Sequence, residues 1–170
     1  MTAKHDYDPD PTRDLVLERE VDVPVRLVWA AWTQPEHLMK WFTPAPWQTV
    51  ACEIDLRPGG RFKTVMRGPE GQTFDEPPGC YLEVVPERKL VWTSALGPGF
   101  RPEPHQPDGL PFTAVLLFEP LGAGTRYTAI ALHPSAELRE RHAAMGFHEG
   151  WGKATDQLVA WARGELAAGR

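Results

Sequence analysis

Side chains able to carry chemistry are few in this chain and thinly grouped. Three carboxylates, Glu53, Asp55 and Glu83, stand in otherwise apolar stretches. A carboxyl turned toward an apolar interior has a raised pKa and can exchange a proton near neutral pH. Alternation places Glu53 and Asp55 opposite Val50, Cys52 and Ile54, and therefore in solvent. Glu83 is in phase with Tyr81 and Val85, which makes it the carboxylate candidate for acid–base catalysis; its plain alternative is a surface ion pair. The imidazole of His148 is the second candidate. His142 and His148 are six residues apart, about 240° around a helix, so one helix cannot turn both toward a metal. There is no His-Glu-x-x-His pattern, and neither a metal nor a cofactor is expected. Of the two serines, Ser94 lies in no nucleophile elbow and Ser135 suits a helix cap. Cys52 and Cys80 have no metal or redox spacing and read as reduced thiols in or near the core.

Aromatic residues give the stronger signal, with seven tryptophans and seven phenylalanines. Trp29, Trp32, Trp41, Phe62, Met66, Tyr81, Trp92, Met145, Phe147, Gly150 and Trp151 form the candidate wall of an apolar pocket able to stack on a flat ligand. Plain core packing is the competing explanation for each of them. Gly146, Gly150 and Gly152 cost a helix about 1 kcal/mol each relative to Ala, which implies either a bend or a close approach.

Those side chains need elements to bring them together. Residues 1–13, with Asp8-Pro9-Asp10-Pro11, read as a flexible tail, and residues 14–170 as a single domain. A strand is expected over 14–23, then a helix opened by Pro24, then a short helix over 35–42 capped by Thr33. Alternating runs at 50–56, 61–67, 79–85, 89–96, 112–119 and 126–133 follow, broken by Gly- and Pro-containing turns. The 97–111 connection contains five prolines and is expected to hold no regular structure. A helix capped by Ser135, a break at Gly146 and a long helix to residue 168 complete the order. Consecutive strands without intervening helices make an antiparallel sheet, and the terminal helix must cover it. The class is therefore α+β.

Composition bounds the partners. At 170 residues, 42% hydrophobic and 24% charged, the chain can build one core unaided. The charge sum, 18 − 23 = −5, argues against nucleic acid and against adhesion to anionic lipid. The longest apolar run, residues 114–118, is a strand's worth, and no basic-then-apolar leader opens the sequence. A cytoplasmic protein is expected.

Several segments, in order, resemble the START-like (SRPBCC) superfamily. They are Val25-Arg26-Leu27-Val28-Trp29-Ala30-Ala31-Trp32-Thr33-Gln34-Pro35-Glu36-His37-Leu38, Leu56-Arg57-Pro58-Gly59-Gly60-Arg61-Phe62, Gly79-Cys80-Tyr81-Leu82-Glu83-Val84-Val85 with Leu90-Val91-Trp92-Thr93, and His142-x-x-Met145-Gly146-Phe147-x-x-Gly150-Trp151. The branch most similar is the activator-of-Hsp90-ATPase-like family. The resemblance implies a helix-grip: a curved antiparallel sheet of six to seven strands around the long C-terminal helix, with a cavity between them. It implies binding of a small apolar or aromatic molecule there, for sequestration, transport or sensing. Two other readings stay open, because sites are grafted onto folds independently. One is a cyclase-, hydratase- or aromatase-type enzyme using Glu83 or His148; the other is a co-chaperone-like interaction module.

Overall fold

The computed structural model describes residues 7–104 and 106–170; residues 1–6 of the expected tail and His105 of the Pro-rich connection lie outside the described residues. Strand β1 (Asp14–Val21) is followed by α1 (Val25–Thr33) and the single turn α2 (Pro35–Leu38). Then come β2 (Gln48–Ile54), β3 (Arg61–Arg67), the short β4 (Thr73–Asp75), β5 (Gly79–Val85) and β6 (Lys89–Thr93). A small hairpin, β7 (Leu96–Gly97) and β8 (Arg101–Pro102), precedes β9 (Thr113–Leu121) and β10 (Gly124–Leu132). Helices α3 (Ala136–Ala144) and α4 (Phe147–Ala167) end the chain.

Seven strands form one antiparallel sheet in the order β1-β10-β9-β6-β5-β3-β2, with β4 added to β3. The sheet curls as a half-barrel, and its concave face takes α1 and α4 in a single core cluster. Helix α4 fits that face because Ala154, Leu158 and Ala162 recur every four residues and present one buried stripe. From α1, Leu27, Val28, Ala31 and Trp32 meet it, and Leu116, Phe118, Tyr127 and Ala129 supply the sheet side. The order of elements is the helix-grip order. No helix among the described residues is long and apolar enough to cross a membrane.

Three local expectations are corrected, and one element is new. Thr33 does not cap α2: its hydroxyl donates back to Trp29 O at 2.8 Å, closing α1, and α2 stops at Leu38 rather than 42. The Pro-rich connection does hold ordered backbone, in the β7–β8 hairpin around Pro98–Phe100. The second half of the expected tail is tied down. Asp10 accepts from Thr12 and Arg13, and Asp10 N donates to the Asp14 carboxylate at 2.7 Å. Lastly, β4 was not foreseen; it is a three-residue extension of the turn after β3. Ser135 caps α3 as expected, accepting from Leu138 N at 3.2 Å, and Gly146 breaks the chain into α4 with φ of 90°.

Candidate functional site

Tyr81 and Trp92 face each other directly across β5 and β6, so their side chains leave the same, concave face. The Phe62 ring lies against both, at 5.4 Å and 4.9 Å between centroids, and Phe112 lies 5.5 Å from Trp92. Tyr81 is wholly buried and Trp92 nearly so, yet neither the Tyr81 hydroxyl nor the Trp92 Nε1–H has a hydrogen-bond partner among the described residues. Burial pushes the Tyr81 phenol well above its ordinary value, so it stays a donor throughout the physiological range. The backbone of Tyr81 is held by the Pro58-Gly59-Gly60 turn: Gly59 N donates to Tyr81 O and Tyr81 N to Gly60 O.

Two of the other candidate tryptophans already have bonded indole N–H groups. Trp32 donates Nε1–H to the Tyr127 hydroxyl at 3.2 Å, and Trp41 donates to Ala31 O at 3.0 Å. Trp29 packs edge-on against Phe118 at 5.6 Å. Phe147 is buried, and Trp151 lies 5.2 Å from it and 6.3 Å from Phe112, at the helix end of the same aromatic row. Met66 is half-buried opposite Thr49, beyond the core cluster. Met145 is 69% exposed and is not part of any interior wall. At Gly150 a Cβ would meet no atom within 4 Å, so close packing does not require a glycine there.

Both catalytic candidates lie outside this region. A bulge between Tyr81 and Glu83 sets Leu82 and Glu83 together opposite Val91, on the convex face, and returns the inward phase to Val84. Glu83 is therefore exposed and pairs with Lys89 at 3.0 Å. His148 is exposed on α4, with Nε2 3.2 Å from Val16 O. Glu53 and Asp55 pair with Arg61 and Arg57, at 2.6 Å and 2.9 Å.

Two arrangements escaped the sequence reading. His133 Nε2 lies 2.8 Å from His142 Nδ1, and His133 Nδ1 lies 2.8 Å from Arg13 O, with both rings buried beside Phe112. Burial, and secondarily His133, lower the pKa of His142 to about 4. The second is a cleft of about 600 Å³ between α2, the segment after it, β2 and Gln157 of α4. It touches none of the expected ligand-binding residues. Gln157, a polar residue at the edge of the apolar α4 stripe, was its one visible sign. Among the described residues no three metal-ligating side chains gather.

Comparison with known proteins agrees with this architecture. The structure of a protein from Nitrosomonas europaea is similar at 49% identity and a TM-score of 0.87, covering 94% of this chain and 99% of that one. A Mycobacterium smegmatis protein is 29% identical, covering 88% and 90%, with a TM-score of 0.69. A Rhodobacter sphaeroides protein shares the fold at 24% identity and a TM-score of 0.77, covering 95% and 96%. No curated protein matches. Residues 22–163, nearly the whole sheet together with α1 and α4, match the family described as activator of Hsp90 ATPase homolog 1-like protein, and this chain belongs to that family.

Proposed function

We propose that the protein binds a flat, largely apolar small molecule bearing one hydrogen-bond acceptor, between the concave face of the sheet and α4. The observation that carries this reading is the pair of buried, unpartnered donors on directly opposed residues, Tyr81 and Trp92. Leaving such a donor unsatisfied costs about 1–3 kcal/mol, which an acceptor on a ligand recovers. Phe62, Phe112 and Trp151 supply ring surface around that point. Apolar burial at roughly 25 cal/mol per Å² is enough for micromolar affinity without charge pairing. Phe42 extends the row of rings, meeting Phe62 edge-on at 6.0 Å. Binding is favoured over catalysis because Glu83 and His148, the acid–base candidates, lie away from the pair.

The test is a tryptophan-fluorescence titration with fluorenone, which has an acceptor, and fluorene, which lacks one. Tyr81→Phe and Trp92→Phe are each expected to weaken fluorenone by about five- to tenfold and leave fluorene unchanged. Circular dichroism confirms the fold of each variant. If wild type does not saturate with fluorenone, or if Tyr81→Phe weakens both probes alike, the reading fails.

A further inference from the structure

We infer that the cleft beside α2 is a second small-molecule site, built for a flat aromatic ring carrying a single carboxylate. At about 600 Å³ it falls in the size range of ligand pockets. Its wall is fixed rather than loose. Gln157 Nε2 donates to Trp41 O and Thr43 O, each at 2.9 Å, and Gln157 Oε1 accepts from Ala45 N at 2.9 Å. Lys153 Nζ adds a bond to Ala45 O at 2.6 Å. Helix α4 thus holds the backbone that shapes the cleft.

The floor supplies the recognition. Thr43 and Thr49 are 8% and 7% exposed, and their hydroxyl oxygens are 2.5 Å apart. Each hydroxyl has one proton, and a contact between two hydroxyls uses one of the two. No other acceptor among the described residues takes the second proton, and both side chains line the cleft. The spare O–H is therefore a donor on the cleft lining that no acceptor among the described residues takes up. Thr49 reaches this position because a bulge between Thr49 and Ala51 breaks the alternation of β2 and turns Thr49, not Val50, inward.

The rim sets charge and shape. Lys40 lines the cleft, and among the described residues no carboxylate lies within 4.0 Å of its ammonium. A ligand carboxylate placed between Lys40 and the spare threonine proton gains a charge-assisted hydrogen bond and a counter-ion. Trp47 and Met39 present the apolar surface for a ring, and Trp47 is steadied by Phe74 at 5.4 Å. Glu36 also lines the cleft and repels a second negative charge, so the site selects monoanions over dianions. No residue here is shared with the Tyr81–Trp92 pair, and the two proposals stand or fall separately.

The experiment is an NMR titration of the full chain with 2-naphthoate, following backbone amides, indole N–H groups and the Gln157 side-chain amide. Saturable shifts are expected at Thr43, Thr49, the Trp47 indole and Gln157. The neutral 2-naphthamide and the dianion naphthalene-2,6-dicarboxylate are expected to bind more weakly. Thr43→Val/Thr49→Val removes the spare donor and is expected to weaken 2-naphthoate about tenfold. Lys40→Gln, a surface change that leaves the fold intact, is expected to erase the preference over the amide. Shifts at Thr43, Thr49, the Trp47 indole and Gln157 are expected to be the same in Tyr81→Phe, since Tyr81 does not line this cleft. Absence of saturation at millimolar probe, shifts confined to Tyr81 and Trp92, or unchanged preference in Lys40→Gln would overturn the assignment.

Discussion

The contact of His133 with a carbonyl fixes one proton of the His133–His142 pair. A carbonyl only accepts, so His133 Nδ1 must carry the proton that goes to Arg13 O. With that proton on Nδ1, a neutral His133 ring leaves Nε2 to accept from His142 Nδ1, and a charged one would donate to it instead. Burial first, and the neighbouring imidazole second, lower the pKa of His142 from an ordinary 6.5 to about 4. The unfolded chain therefore takes up this proton before the folded chain does. Stability is complete above about pH 6.5 and declines as pH falls toward about 4. Asp10, lowered to about 2 by its bonds to Thr12 and Arg13, adds its share only below that window. Thermal melts are expected to show a Tm that is flat near pH 7 and lower by several degrees near pH 4. His142→Asn keeps a donor toward His133 without a titrating ring, and its Tm is expected to fall less. Equal pH slopes in variant and wild type would remove His142 from the explanation. Nothing in the sequence announces this pair, because the contact joins α3, the end of β10 and a carbonyl more than a hundred positions away. Spacing along one helix, which dismissed His142 and His148 as joint metal ligands, cannot report a partner on another element.

Two bulges account for most of what the strand pattern misplaced. Strict alternation put Glu83 with Tyr81 and Val50 with Cys52, and it holds only while each residue has one partner. At Leu82 and at Val50 the ladder gains a residue, and every side chain on one side of the bulge changes face. A bulge is a backbone event without a fixed side-chain signature, so a single sequence does not disclose it. Turns are more legible, since their glycines are required by geometry. At Gly60 a Cβ would lie 1.9 Å from Asp55 O, a backbone atom that cannot step aside. Gly60→Ala is therefore expected to destabilise by about 1–3 kcal/mol and to disturb Tyr81, whose N–H donates to Gly60 O. Gly150 is the opposite case. With open space where its Cβ would stand and a helix on both sides, Gly150→Ala is expected to stabilise by about 0.5–1 kcal/mol. Urea unfolding of the two variants reads both signs, and a stabilised Gly60→Ala or a destabilised Gly150→Ala would contradict the packing described.

Over the whole molecule, the order of elements was readable because it follows from patterns that survive local error. A helix with apolar residues every four positions and a run of alternating strands have few ways to bury their faces together, and the half-barrel around α4 is the one adopted. The consequence is a core that no element can leave alone. Leu158 lies in one cluster with Val28 and Trp32 of α1 and with Leu116 and Phe118 of β9. It is 1% exposed, so truncation leaves a cavity that the surrounding rings cannot readily close. Leu158→Ala is expected to cost about 3 kcal/mol, and for a chain of this length that lowers Tm by roughly 10 °C. Leu166, on the same helix but 41% exposed, supplies the control, with a change in Tm of about 1 °C or less expected for Leu166→Ala. Because helix and sheet share the cluster, far-ultraviolet dichroism and tryptophan fluorescence are expected to report one coincident transition in both variants. A fluorescence transition separated from the dichroism transition would mean that α4 melts from the sheet on its own. The shared core would then be two weaker ones, and the buried Tyr81–Trp92 pair would lose the rigid wall that its proposed ligand needs.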